Sequence, residues 1–122
     1  MRSRRRRAEE FLPLPVSEFQ ILLTLVDEER HGYAIMSEVS AATGGAVSLG
    51  PGTLYGALKR MLADGLIEER DARPSPREDD ERRRYYGLTS LGRAVASAEA
   101  RRLAALVRQA RQKRLLGRPE PV

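Results

Sequence analysis

The segment LGPGTLYGALKRMLADGLIEE, residues 49–69, constrains the fold more than any other part of the chain. Pro51 suits the first turn of a helix, where its missing N–H is not needed, and Gly65 suits the end of one. At roughly 100° per residue, the apolar residues between them share one face of a helix, and the polar residues share the other. The segment therefore predicts an amphipathic helix over residues 51–64, followed at once by a strand.

The polar face of this helix is small at its centre and has hydrogen-bonding and cationic side chains at its edges. It carries Gly56 and Ala63 at the centre and Thr53, Tyr55, Lys59 and Arg60 around them. Glycine inside a helix costs about 1 kcal/mol relative to alanine, so a helix that needed only solvation would be more stable with Glu or Lys. A smooth face of this kind suits close approach to another surface, and a DNA groove is the leading candidate. The alternative is that Tyr55 packs and Lys59 is merely solvated.

Length and composition favour one domain with a modest core. The chain has 122 residues, 41% of them hydrophobic and 5% aromatic, so the core is expected to consist of Leu, Ile, Val and Ala. No apolar run approaches the roughly 18–20 residues of a membrane span, and no hydrophobic segment follows the basic run Arg4–Arg7. There is no Cys for disulfides or a thiolate zinc site. We expect a cytoplasmic protein without a membrane partner.

The net charge of +5 is distributed unevenly along the chain. Residues 1–10 carry +3 and residues 90–122 carry +6, whereas residues 11–70 carry −4 and residues 71–89 are balanced. A polyanionic partner is therefore attracted mainly by the two ends and by local patches. Charge alone does not exclude a protein whose Arg side chains are only solvated.

The remaining sequence predicts three more helices and a β-hairpin. The first helix is expected to run from Ser17, which forms a capping box with Gln20, to about Glu28. The second is expected over about eleven residues of HGYAIMSEVSAATGG, and the last from Thr89 to about Leu116. The strands of the hairpin are expected at 66–70 and 84–88. This order is that of a winged helix-turn-helix, mainly α with a small β-hairpin. The predicted divisions are a basic, disordered arm (1–12), a winged-helix DNA-binding domain (13–89), a C-terminal dimerisation helix (90–116) and a tail (117–122).

Three segments carry a family resemblance, namely HGYAI at 31–35, PGTLYGALKRMLADGLI at 51–67 and RRRYYGLTSLGR at 82–93. Together they resemble the PadR family of bacterial transcriptional regulators over about 80 residues, roughly 14–93. The resemblance implies a dimeric winged-helix DNA-binding protein with helical C-terminal dimerisation. The single C-terminal helix is similar to the short-tailed subgroup, in which the N-terminal helix also packs into the dimer. Gly56 stands where the family often has Pro, and the wing tip at 78–81 is unusually acidic.

The resemblance also implies the roles of individual residues. It makes the helix at 51–64 the recognition helix. The expected DNA-binding residues are Pro51, Gly52, Thr53, Tyr55, Lys59, Arg60, His31, Tyr33, Arg82, Arg83 and Arg84. His31 is expected to cap or orient the second helix. Because Tyr85 and Tyr86 are neighbours on a predicted strand, one of them is expected to face the core and the other to face outward. The expected dimerisation residues are Phe19, Leu23, Val95, Leu103, Leu106 and Val107.

Two functional hypotheses remain open from the sequence. The first is a dimeric transcriptional repressor that binds a pseudo-palindromic operator in double-stranded DNA. The alternative is a winged-helix module that binds protein without specific DNA binding, which the −4 charge of residues 11–70 favours. An enzyme is not expected, because no nucleophile–base pair, phosphate-cradling Gly loop or metal cluster is evident, and one His without Cys does not make a metal site. No cofactor is predicted, and neither the operator nor a small-molecule effector can be identified.

Overall fold

The computed structural model describes residues 6–70 and 84–117. In chain order its elements are an N-terminal 3₁₀ turn (Ala8–Phe11), α1 (Val16–Thr24), β1 (Arg30–His31), α2 (Gly32–Ala42), α3 (Pro51–Ala63), β2 (Ile67–Arg70), β3 (Tyr85–Leu88) and α4 (Ser90–Gln112). The predicted fold class, mainly α with a small β-hairpin, is confirmed. The four helices pack around one core, to which the small sheet is attached.

Helix α1 begins before the predicted cap. Pro15 is the N-cap residue, because its carbonyl accepts the N–H of Phe19 at 3.0 Å. Ser17 therefore lies inside the first turn, and the predicted capping box between Ser17 and Gln20 is wrong. Leu14, just before the cap, is buried in the core, which fixes the entry of the chain into the helix.

Helix α1 also ends earlier than predicted, at Thr24 instead of Glu28. The Nε of Arg30 donates to the Thr24 carbonyl at 2.8 Å. That carbonyl would accept the N–H of Glu28 if the helix continued, so the side chain of Arg30 replaces the next turn. The polar residues after α1 consequently form a turn that returns the chain to the sheet.

Helices α2 and α3 form the helix-turn-helix, and their bounds match the prediction closely. The N-cap of α2 is His31, whose Nδ1 accepts the N–H of Ala34 at 3.2 Å. Gly44 and Gly45, both with positive φ, follow its end, as the sequence predicts. Helix α3 has Pro51 in its first turn and stops at Ala63, one residue short of the predicted end.

The sheet has three antiparallel strands in the order β1-β3-β2. Strands β2 and β3 pair from Ile67 opposite Leu88 to Arg70 opposite Tyr85, which is the predicted hairpin. Strand β1 adds two residues on the other side of β3, with His31 opposite Tyr85. The sequence does not predict β1, because two residues cannot show alternation. The predicted acidic wing tip at 78–81 lies outside the described residues.

The junction between the wing and α4 is tightly packed. Thr89 caps α4, as predicted: its Oγ1 accepts the N–H of Gly92 at 2.9 Å and donates to the carbonyl of Gly65 at 2.6 Å. A Cβ at position 92 would collide with the carbonyl of Leu66, so only glycine allows this contact. The helix runs to Gln112, short of the predicted end near 116.

The N-terminal segment is ordered where the sequence predicted disorder. Residues 8–11, within the predicted arm 1–12, form the 3₁₀ turn, and residues 1–5 lie outside the described chain. The guanidinium of Arg6 stacks on the Phe11 ring, 3.8 Å from its centroid. Just beyond, the N–H of Leu14 donates to Glu99 at 3.2 Å. Phe11 and this buried hydrogen bond hold the segment on the body of the protein.

The core is aliphatic, as the composition predicts. Each fully buried Leu or Ile contributes about 1.5–3 kcal/mol relative to an exposed one. Its largest fully buried apolar members are Ile21, Leu22, Ile35, Val39, Leu54, Leu58, Met61, Leu66, Ile67 and Val95. None of the helices in residues 6–70 and 84–117 is both long and apolar enough to cross a bilayer.

Candidate nucleic-acid interface

The two faces of α3 have opposite environments. Its apolar face, which includes Leu54, Leu58 and Met61, is fully buried in the core. The opposite face is open to solvent and carries the predicted contact residues. Its exposed members are Pro51, Gly52, Thr53, Tyr55, Lys59, Arg60 and Ala63, and Gly56 is half-buried. The Arg60 guanidinium lies beside this small-residue side, since its Nη1 would be 3.6 Å from a Cβ added to Gly56. Ala63 is open to solvent.

The N-terminal turn of α3 adds hydrogen-bond donors to this face. The first intrahelical bond runs from Leu54 N–H to the carbonyl of Gly50 at 2.9 Å. The N–H groups of Gly52 and Thr53 precede it, so they have no carbonyl partner within the helix. Together with the positive end of the helix dipole, they suit a phosphate oxygen. Both residues are exposed.

Tyr55 joins α3 to the start of α2. Its side chain is 49% exposed, and its inner edge lies on Gly32. A Cβ added to Gly32 would come within 2.6 Å of the Tyr55 hydroxyl oxygen, so a larger residue displaces the ring. Tyr55 therefore both packs and presents its other side to solvent. From the sequence alone these two roles are alternatives, and the sequence contains no signal that marks Gly32 as the partner of the ring.

His31 and Tyr33 lie at the N-terminus of α2, beside this ring. The predicted capping role of His31 is met by its bond to the N–H of Ala34, and its ring packs edge-on against Tyr85 with centroids 5.5 Å apart. His31 is therefore held as a structural residue with only part of its ring accessible. Tyr33 is 67% exposed, which makes it the most open aromatic side chain among the described residues.

The base of the wing adds a paired cation to the same surface. Arg84 Nη1 donates to both carboxylate oxygens of Glu69, at 3.0 and 3.1 Å. These hydrogen bonds, and then the charge of Glu69, raise the pKa of Arg84 above its ordinary value. Burial raises the pKa of the neighbouring Tyr86, the tyrosine that faces the core. Arg82 and Arg83 lie outside the described residues.

The start of α2, α3 and the wing enclose a shallow concavity of about 450 Å³. Its polar lining consists of His31, Tyr33, Tyr55, Glu69, Arg84 and Tyr86. The start of α2, the exposed face of α3 and the base of the wing, each predicted to contact DNA, therefore lie on one side of the molecule. Glu69 and Tyr86 were not predicted as site residues, because the pairing of β2 with β3 is what places them beside Tyr55.

The two cations of α3 differ in their surroundings. Arg60 Nη2 lies 3.7 Å from a carboxylate oxygen of Glu18 on α1, so part of its charge is balanced inside the protein. Lys59 is exposed, and no ion pair within the described part of the chain includes it. Lys59 is thus the more available cation of the face. No group of three potential metal ligands occurs among the described residues.

The predicted dimerisation residues do not all lie on the surface. Leu23 is 42% exposed on α1, and Leu106 and Val107 are 46% and 44% exposed on α4. Phe19 and Leu103 are half-buried. Val95 has no accessible surface, because it packs into the core of its own chain, so its assignment to a dimer interface is wrong. The remaining candidates leave an apolar strip along α1 and the distal half of α4.

Comparison with known proteins gives consistent matches. The sequence model described as "Transcriptional regulator PadR-like family" matches residues 21–98. Transcriptional regulator Rv3488 of Mycobacterium tuberculosis is 40% identical over 91 residues, which are 73% of this chain and 77% of that protein. An uncharacterised 37.1 kDa protein in transposon Tn4556 of Streptomyces fradiae is 37% identical over 90 residues, and the match spans only 24% of its length.

The fold itself is found in solved structures. A crystal structure of a PadR family transcription regulator from Clostridium difficile superposes with a TM-score of 0.66 at 24% identity, covering 80% of this chain and 97% of that one. At this level of identity the match shows a shared fold. The helix-turn-helix, the wing and the long final helix are therefore an arrangement that other chains adopt.

Proposed function

The chain belongs to the PadR-like family of transcriptional regulators, and we propose that it is a dimeric repressor whose helix α3 enters the major groove of a pseudo-palindromic operator. The family consists of transcriptional regulators and not of enzymes, as the sequence predicted. The proposed site of action is the cytoplasm.

The exposed face of α3 is the observation that carries this proposal. A helix fits the major groove of B-DNA, which is about 12 Å wide, when its outer side chains do not hold it away from the bases. Gly56 and Ala63 keep the centre of the face low. Thr53 and Tyr55 offer hydroxyl groups, and Lys59 offers an uncompensated charge for a phosphate or a guanine edge. Arg84 at the base of the wing extends the surface to the adjacent backbone.

A dimer is supported by the apolar strip on α1 and α4. Leu106 and Val107 continue the core-facing side of α4 beyond the part that the core covers, so this side remains exposed in one protomer. A second copy would bury it against the same surface of its partner. Two α3 helices would then enter successive major grooves about 34 Å apart, which is the reason for a two-fold symmetric operator.

Lys59→Ala tests the proposal directly on DNA from the region upstream of the gene. We expect weaker binding and, if each protomer loses one phosphate contact, a decrease of about 0.9 per protomer in the slope of log affinity against log salt. Lys113→Ala is the matched control, because it removes the same charge after the end of α4. Fluorescence anisotropy at several salt concentrations measures both.

The competing hypothesis, a module that binds only protein, makes a different prediction. It is contradicted if the wild type binds its upstream region with strong salt dependence and Lys59→Ala weakens that binding more than Lys113→Ala does. Absence of binding at low salt would instead overturn the proposed function. A repressor further requires that transcripts beside the bound sites increase when the gene is deleted.

A further inference from the structure

The outward face of α4 carries a row of arginines separated by small residues, which we call the arginine row. All of its members are exposed. They are Arg93, Arg101, Arg108 and Arg111, with Ser97, Ala100 and Ala104 between them. At about 1.5 Å per residue, the row is about 27 Å long.

The row lies on the side of α4 that faces away from the core. At roughly 100° per residue, its four arginines fall about 120° to 200° from Glu99, the buried residue that marks the inner side. Glu99 is the one carboxylate in residues 90–117, and it is bound to Arg102 at 2.6 and 2.9 Å. The outward face of the helix therefore has positive charge and no negative charge of its own.

Neighbouring elements do not neutralise the arginine row. Arg93 Nη2 donates to the carbonyl of Val26 at 3.0 Å, and Arg101 Nη1 donates to the hydroxyl of Ser97 at 2.7 Å. These acceptors are uncharged, and the ion pairs within residues 6–70 and 84–117 include none of the four arginines. Arg108 and Arg111 are three residues apart, a spacing at which like charges destabilise a helix by about 0.2–0.5 kcal/mol.

The row and the α3 face belong to different parts of the packing. Helix α4 packs mainly against α1, the N-terminal turn and β3, whereas α3 packs mainly against α2 and β2. Both helices direct one face into the shared core and the other outward. The arginine row therefore belongs to a different helix, with different packing neighbours, from the groove-facing side of α3.

We propose that the arginine row binds the phosphate backbone of a second duplex segment. The inference rests on the proposed function, because the first segment is the one held by α3. Guanidinium groups pair with phosphate oxygens in bidentate geometry, and the small residues between them allow the backbone to approach the helix closely. A membrane surface fits less well, because the row carries no large apolar side chain that would enter the lipid. One protein dimer would thus connect two stretches of DNA.

The first test removes the α3 contribution and measures what remains. In Tyr55→Ala/Lys59→Ala protein, we expect residual binding to a random-sequence duplex at low salt. Adding Arg101→Gln and Arg108→Gln should weaken this binding about tenfold and lower the salt slope by about 1.8 per protomer. Lys113→Gln/Arg114→Gln removes the same charge from the same end of the chain outside the row. For this control variant, we expect the affinity for the duplex to change twofold or less.

Three results of this test would overturn the proposal. They are the absence of residual binding, equal losses in the two charge-matched variants, and stronger binding to vesicles containing phosphatidylserine than to the duplex. The mass of each variant in solution, from light scattering, shows whether the dimer is intact. The test does not use an operator, so its result is separate from that of the proposed function.

The second test measures the connection itself. Protein bound to an immobilised duplex from the upstream region is exposed to a second, fluorescent duplex. We expect capture by the wild type and by Lys113→Gln/Arg114→Gln, and at least about a tenfold loss of capture by Arg101→Gln/Arg108→Gln with unchanged binding to the first duplex. Equal capture by all three proteins would contradict the inference even if binding to the first duplex is normal.

Discussion

At the scale of single residues, the contact between Gly32 and Tyr55 decides how the site is arranged. Gly32 is buried at the first position of α2, and its missing Cβ leaves the space in which the Tyr55 ring lies. The ring is the movable partner, since its other side is open to solvent. A small change in α2 is therefore transmitted to a side chain on the exposed face of α3.

Gly32→Ala should displace Tyr55 without unfolding the protein. Alanine is favoured over glycine in a helix by about 1 kcal/mol, which offsets part of the cost of moving the ring. We expect DNA affinity to decrease about fivefold, the equivalent of one lost hydrogen bond, with little change in melting temperature. In a Tyr55→Ala background the same substitution should have almost no further effect. Additive losses would mean that Gly32 acts independently of Tyr55.

At the scale of elements, the sequence predicts the helix boundaries that local signals set, and it does not predict those that distant contacts set. Helix α2 begins directly after its cap His31, and α3 begins at Pro51. A capping side chain and a proline act within one turn, so these two starts are readable in the sequence. The early end of α1 depends on Arg30, whose guanidinium returns to a carbonyl six residues before it. The 3₁₀ turn at residues 8–11 depends on packing against α4, which is the last helix of the chain. Contacts of this kind leave no periodic pattern.

The candidate site shows the same limit. The exposed face of α3 was predictable, since it follows from helical periodicity within one segment. The Glu69–Arg84 pair joins two strands across a loop, and only the register of the sheet places it beside the helix. Val95 was misassigned because its apolar spacing on α4 is the same as that of Leu106; the sequence does not show where the core ends.

Leu106→Glu tests the role of the distal part of α4. A carboxylate there would have to be buried in the proposed dimer, which is strongly unfavourable without a partner charge. We expect the apparent mass to shift from dimer to monomer at micromolar concentration, measured by light scattering after size-exclusion chromatography. Ala104→Glu adds the same charge on the outward face of the same helix and should leave the dimer unchanged. A dimer that tolerates both substitutions would place the interface elsewhere.

The attachment of the N-terminal segment to α4 should depend on pH. Hydrogen bonds from Arg102, with a further one from the N–H of Leu14, lower the pKa of Glu99 below its ordinary value of 4.5, although burial opposes the shift. A carboxyl group whose pKa is lower in the folded state stabilises the protein above its unfolded pKa, and this contribution is lost as the pH falls through the folded value.

Glu99→Gln should therefore flatten the acid side of the stability profile. We expect its melting temperature to be lower than that of the wild type at pH 7 and the difference to decrease as the pH is lowered below 4.5, the ordinary value for this group. Thermal unfolding followed by circular dichroism at each pH measures the difference. A constant difference between the two proteins across this range would show that Glu99 is not the responsible group.

At the scale of the whole molecule, the charge separates into an acidic middle and basic ends. Part of the −4 charge of residues 11–70 is neutralised within the protein, because Glu18 pairs with Arg60 and Glu69 pairs with Arg84 of the candidate interface. Glu69 orients Arg84 through two hydrogen bonds, and both carboxylates lower the positive charge that DNA of any sequence meets at this surface. A two-fold dimer would bring two such surfaces to one face of the assembly.

The spacing of operator half-sites tests this symmetry. Inserting about five base pairs between the half-sites turns one of them by half a helical turn, so only one α3 of the dimer can reach its groove. We expect a loss of at least about a hundredfold in affinity, and a partial recovery when about ten base pairs are inserted. Binding that is indifferent to the insertion would mean that each protomer binds independently.

The short junction at Thr89 has a mechanical consequence. A single residue separates β3 from α4, its hydroxyl group connects Gly65 to Gly92, and the backbones touch at Leu66. Such a joint contains no hinge. If the two α4 helices of a dimer rotate relative to each other, each wing has to rotate with the α4 to which it is joined. A movement at the distal ends of these helices would therefore change the distance between the two wings and, with it, their contact with the duplex.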